Sequence, residues 1–114
     1  MKTGRWYPGG FFQVDNQIFS MGLSPRDLAV YCCIAMHSNR ETGVAYPSRR
    51  TIAKECGIQK VETVDRAIKV LCAKGMLEKR HQYTASGGKT SNIYTITPSW
   101  EYGPRAKEDS NQNR

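Results

Sequence analysis

Nowhere does this 114-residue chain approach the roughly 20 consecutive apolar residues that a membrane-spanning helix needs. Its opening, MKTGRWYPGG, lacks the apolar run of a secretory signal. Paired ligand spacing is missing as well. Cys32, Cys33, Cys56 and Cys72 form no C-x-x-C, so a cytoplasmic protein with reduced thiols is expected rather than a disulfide framework. Cys33 and His37 stand one helical turn apart, but two ligands do not make a zinc site, and the cysteines read as core packing. No metal or cofactor is expected.

Catalytic sets are absent too. The 2 histidines, His37 and His81, are isolated, no Ser, His and acid set is recognisable, and the few carboxylates are spread among basic residues. The stretch GGKTS, Gly87 to Ser91, superficially resembles a phosphate-binding loop. That loop needs a glycine five positions before Gly88, where Tyr83 stands, and a helix after it, where NIYTIT is strand-like. A non-enzymatic protein with no small-molecule substrate is expected. The sequence also carries no internal repeat.

Positive charge is abundant. The length fits one domain with a modest core, and the formal net charge is +7. Between Pro47 and Thr97 stand ten Lys or Arg against four acids, so +6 of the +7 falls on this segment. A polyanionic partner is favoured, and its docking surface is sought here.

The chain divides into three parts. Residues 1–22 form an aromatic-rich arm in which Pro8, Gly9 and Gly10 argue for extended or turning backbone, and Asp15 can cap a short helical turn that Gly22 ends. Phe11, Phe12, Ile18 and Phe19 are too many apolar groups to leave in water, so this arm is expected to lie against its own domain or a second copy.

Residues 23–98 form the folded unit. Ser24 and Pro25 start a helix whose stripe is Leu28, Tyr31, Cys32 and Ala35, widened by Ala29, Cys33 and Met36. VAY is short enough for an edge strand. Ser48 caps a second helix that runs through Glu55, with Ile52, Ala53 and Cys56 on one side, and Gly57 allows a sharp turn. The third helix, from about Lys60 to Lys74, turns Val61, Val64, Ile68, Leu71 and Cys72 inward and Glu62, Thr63, Asp65, Arg66 and Lys69 largely outward. MLEKRHQYT and SNIYTIT are β-compatible segments joined by ASGGK, a hairpin signal. Residues 99–114 lose all apolar rhythm and read as a polar tail.

The expected fold is therefore mainly α with a small β-sheet, a three-helix bundle plus a β-hairpin wing. That is the arrangement of a winged helix-turn-helix, whose third helix suits the major groove of B-DNA while the preceding helix braces it. YPSRRTIAKECGI, TVDRAIKVLCAKGMLEK and SNIYTIT also resemble the winged-helix domains of plasmid, phage and mobile-element replication initiators and related regulators. The upstream segment is similar to that family's lead-in, so the resemblance runs from about Phe11 to Pro98. One departure stands out. After the turn glycine the family usually has GxSxxTV with a capping Ser, whereas GIQKVETV has one residue more and no such Ser.

The resemblance implies that Ser48, Arg49 and Arg50 open the bracing helix near a phosphate and that Thr63, Asp65 and Arg66 face outward on the recognition helix. By chemistry, Arg66 suits a bidentate contact to guanine and Thr63 a methyl or phosphate contact, while Lys60 and Lys69 suit phosphates. Gln59 joins this set from the turn. On the wing, Lys79, Arg80, His81, Lys89 and Thr90 offer donors to phosphates or the minor groove.

Two functions fit this pattern. The first is sequence-specific double-stranded DNA binding, as an accessory or regulatory factor or a replication-initiator domain, with a homodimer plausible because many sites have two half-sites. The second is a protein-interaction module built on the winged-helix surface, which the acids on the third helix and the aromatic arm would serve.

Overall fold

In the structure, a computed structural model, residues 8–83 and 89–103 are described, with side chains omitted at 83 and 89–91. The hairpin tip with Gly87 and Gly88, and the tail from residue 104 onward, lie outside the described residues. Helix α1 spans Pro25–His37, α2 Arg49–Cys56 and α3 Val61–Ala73. Strand β1 is Val44–Ala45, β2 Leu77–Tyr83 and β3 Lys89–Ile96, and short 3-10 turns occupy Asn16–Ser20 and Ser99–Glu101. Three helices and a three-stranded antiparallel sheet of order β1-β3-β2 make a winged helix-turn-helix.

Local chemistry explains where each helix begins. Ser24 Oγ accepts from Asp27 N at 3.1 Å ahead of Pro25, and Ser48 Oγ accepts from Thr51 N at 3.0 Å ahead of Arg49. Each serine satisfies a backbone donor that the first turn leaves open. Helix α3 starts differently. Its N-cap is Lys60 in extended conformation, with no side-chain cap hydrogen bond.

Gly57 ends α2 at φ 70° and lets Ile58 N reach back to Ala53 O at 2.8 Å. This 6→1 bond, with a left-handed glycine, ends α2 and turns the chain into α3 within four residues.

The core gathers one face of each element. Val30 and Ile34 from α1, Ile52 from α2, Val64, Ala67 and Leu71 from α3, and Ala45 and Tyr94 from the sheet are all fully buried. The α1 stripe lies differently from its sequence reading. Tyr31 and Cys33 are buried, but Leu28, Cys32 and Ala35 are half-buried at the margins, and Ala29 and Met36 are exposed. The bundle meets α1 along Asp27, Val30, Tyr31 and Ile34, a line spaced at three and four residues.

Segments on either side of the helices and sheet attach to this core. Ile18 is buried, anchoring the 3-10 turn that Asp15 caps by accepting from Gln17 N at 2.8 Å. Among the arm's described residues the rings do not follow it in: Phe11, Phe12 and Phe19 stay exposed, Phe19 at 76%. A turn too short to present a broad face buries the one side chain pointing down. Past Pro98, where the sequence reading begins a tail, the chain remains folded through Gly103. Tyr102 Oη pairs with Tyr31 Oη at 3.1 Å and Gly103 N donates to Lys74 O at 2.6 Å.

Candidate nucleic-acid interface

The wing is positioned by its register. Leu77 pairs with Ile96, Lys79 with Tyr94 and His81 with Asn92. Side chains alternate along a strand, so the buried Leu77 and Tyr94 commit Lys79, His81 and Asn92 to the face turned toward α3. Glu78 and Arg80 lie on the opposite face. Beyond His81 the register shifts, with two steps on β2 matched by three on β3 as far as the Tyr83–Lys89 pair. The extra residue bends the ribbon near its tip.

Between α3 and this wing face runs an open cleft of about 480 Å³ lined by Arg49, Asp65, Arg66, Ile68, Lys69, Cys72, Lys79, His81 and Asn92. Arg66 and Lys69 come from adjacent turns of α3, Lys79 faces them from β2, and Arg49 closes the end at the start of α2. All four cationic residues are exposed.

Two internal contacts order the cleft. Arg49 Nε and a terminal guanidinium nitrogen donate to the two oxygens of Asp65 at 2.7 and 2.6 Å, a bidentate pair. These bonds raise the Arg49 guanidinium above its usual value. Asp65, the acid among the cleft's lining residues, is thereby matched with a cation from the neighbouring helix. Arg66 also donates to Thr63 Oγ1 at 3.3 Å, one helical turn back. The two side chains read as base-contacting therefore touch each other, with Thr63 steering the guanidinium.

A polar chain supports the wing side. His81 Nδ1 and Asn92 Oδ1 are 2.9 Å apart, and Asn92 Nδ2 donates to Tyr94 Oη at 3.1 Å. Burial pushes the Tyr94 phenol above its ordinary value, with the Asn92 hydrogen bond opposing. The Tyr94 hydroxyl is buried yet satisfied, and it fixes the amide that holds His81.

The structure brings only part of the sequence-predicted set together. Arg49, Arg66, Lys69 and Lys79 line the cleft, and Thr63 supports Arg66 from a half-buried position. Ser48 is occupied as the α2 cap, also donating to Thr51 Oγ1 at 2.9 Å. Arg50, Gln59 and Lys60 are exposed around the α2 start and the turn, outside the cleft lining, and Arg80 lies on the far face of the wing. Lys89 and Thr90 are placed on β3 by backbone alone. Asn92 and Tyr94 escaped the sequence reading, although two-residue alternation from a buried Tyr94 would have found Asn92.

The comparisons agree with this architecture. Residues 21–77 match the family model described as a helix-turn-helix domain. The chain belongs to that family. Among solved structures it is similar to a possible transcriptional regulator from Methanosarcina mazei Go1, at 25% sequence identity and a TM-score of 0.53, over 70% of this chain. The match spans 61% of that regulator's length. No curated protein matches the sequence. Among the described residues, no helix is long and apolar enough to cross a membrane.

Proposed function

We propose that this domain binds double-stranded DNA sequence-specifically and acts as a regulatory factor. The observation that carries the reading is the convergence of Arg66, Lys69 and Lys79 on one open cleft between α3 and the wing, with Asp65 held by Arg49. Cations at this spacing displace counterions from phosphates, while α3 presents Arg66 to base edges in the major groove. The helix-turn-helix family and the similarity to a possible transcriptional regulator support the reading.

Control of transcription is the role favoured by that neighbour, and replication control in a plasmid, phage or mobile element is the role implied by the sequence resemblance. In either role two copies on two half-sites extend a small single-domain footprint.

Titration of labelled duplex DNA across a salt series tests the proposal. With about six phosphates neutralised, log affinity falls against log salt with a slope of roughly −5. Selection from a random oligonucleotide pool then shows whether a preferred, symmetric site exists. A flat salt response, or no binding at micromolar protein, sinks the DNA reading.

A second reading draws on one observation. Phe11, Phe12, Met36 and Trp100 line a separate groove that shares no residue with the basic cleft, and Trp100 is 84% exposed. Such a surface suits protein contact, as an addition to DNA binding or as its replacement.

A further inference from the structure

Away from the basic cleft, metal-ligating side chains meet where the end of α1 crosses the end of α2. Cys33 Sγ, His37 Nε2 and a Glu55 carboxylate oxygen all lie within 4.8 Å of one another. Cys33 and His37 are four residues apart on α1, so one turn stacks them on the same face. Glu55 reaches them from the last turn of α2. Its Oε1 accepts from the Cys33 thiol at 3.3 Å and pairs with His37 Nε2 at 2.7 Å. The thiol of the next residue, Cys56, donates instead to Ala29 O at 3.5 Å.

We propose that Cys33, His37 and Glu55 bind one thiophilic divalent cation of the zinc class, its fourth position left to solvent. Thiolate, imidazole and carboxylate are the donors such an ion takes, and three of them with one water complete a tetrahedron. Bonds of about 2.0 to 2.3 Å make its edges roughly 3.4 Å. The Cys33–Glu55 separation of 3.3 Å matches that edge, and the His37–Glu55 separation of 2.7 Å has to widen by about 0.7 Å to admit the ion.

Access and charge both agree. Cys33 is buried, but the His37 and Glu55 side chains are 30% and 40% exposed, leaving an open side toward solvent. Without an ion the Cys33 thiol proton bridges to the Glu55 carboxylate. Binding releases the Cys33 thiol proton to solvent. One thiolate, a carboxylate and a neutral imidazole then neutralise the dication, with no oxidation or reduction.

The arrangement ties α1 to the last turn of α2, immediately before the Gly57 reversal into α3. An ion there braces the helix that supports the DNA-facing cleft. The site itself does not depend on the DNA reading, and its test uses metal alone.

Titrating the reduced, tag-free full chain with Co²⁺ is the experiment. One cobalt per chain is expected, with an intense thiolate-to-cobalt charge-transfer band that stoichiometric Zn²⁺ bleaches. His37→Ala and Glu55→Gln change exposed side chains, so their folds should survive, and each is expected to weaken cobalt binding about tenfold or more. Cys33→Ser removes the charge-transfer band, whereas Cys72→Ser, outside the cluster, keeps it. Should Cys33→Ser unfold, the two exposed variants decide. Absence of a thiolate band in the parent chain, or wild-type cobalt affinity in His37→Ala with Glu55→Gln, overturns the site.

Discussion

Arg49 opens α2 and Asp65 sits in the second turn of α3, yet their side chains join across the turn by two parallel hydrogen bonds of 2.7 and 2.6 Å. The pair resolves a conflict in the sequence, where a carboxylate on the outward side of α3 would repel a phosphate. It also commits a cation otherwise free to contact that phosphate. Both side chains are nearly half exposed, 44% and 45%, so the bridge is worth under about 1 kcal/mol to the fold. Its weight falls on the interface.

Asp65→Asn should therefore leave stability within about 1 kcal/mol of the parent in urea denaturation. The same change removes a negative charge from the cleft and releases Arg49 to a phosphate. Binding to non-specific duplex tightens, and the salt slope steepens by roughly 0.9. Fluorescence anisotropy over a salt series reads both. Unchanged DNA affinity would mean that the cleft does not face the phosphates.

Arg66 and Lys69 should separate by kind of effect. Arg66→Ala is expected to relax discrimination between preferred and scrambled sites by roughly 1 to 3 kcal/mol, because a guanidinium that reads a base edge carries sequence information. Lys69→Ala and Lys79→Ala lower affinity for all sequences alike and make the salt slope shallower by about 1. Competition binding on matched and scrambled duplexes tells these apart. If Lys79→Ala abolishes site preference while Arg66→Ala leaves it intact, the wing is the reader.

Much of this organisation is legible in the sequence because it rests on local chemistry. Ser24 and Ser48 as caps, Gly57 as a left-handed stop and the strand period after Met76 each act within a few residues, and the structure has all of them. What the sequence hides is set by pairs brought together only in three dimensions. Arg80 and Lys79 look equivalent as neighbours, but Tyr94 and Leu77 commit one face of the wing inward, and Arg80 falls on the other. Arg49 with Asp65, and Glu55 with Cys33 and His37, join different helices. No spacing rule along the chain encodes those meetings.

Gly75 and Gly57 have nearly the same backbone, φ 74° and φ 70°, in different surroundings. A Cβ at Gly57 meets nothing within 4 Å, so Gly57→Ala carries only the left-handed penalty of about 1 to 2 kcal/mol. At Gly75 the added carbon would collide with the carbonyl oxygen of Gly103 and displace the turn held by the bond from Gly103 N to Lys74 O. Gly75→Ala should cost more than Gly57→Ala. Thermal or urea unfolding of the two variants checks the order, and equal losses would mean that the 99–103 segment contributes little to the fold.

Acid provides a handle on the α1–α2 junction in the metal-free protein. The hydrogen bond from His37, followed by that from the Cys33 thiol, holds the Glu55 carboxyl below its ordinary value. A carboxyl depressed on folding contributes stability that is present above its unfolded pKa, near 4.3, and lost as pH falls through the lower folded value. Carboxyl-detected NMR titration should find Glu55 titrating below an ordinary glutamate in the parent chain. In His37→Ala its midpoint should move back upward, because the larger of the two supporting bonds is gone while Cys33 remains. A Glu55 midpoint that ignores the loss of His37 would mean that the imidazole does not hold this carboxylate in solution.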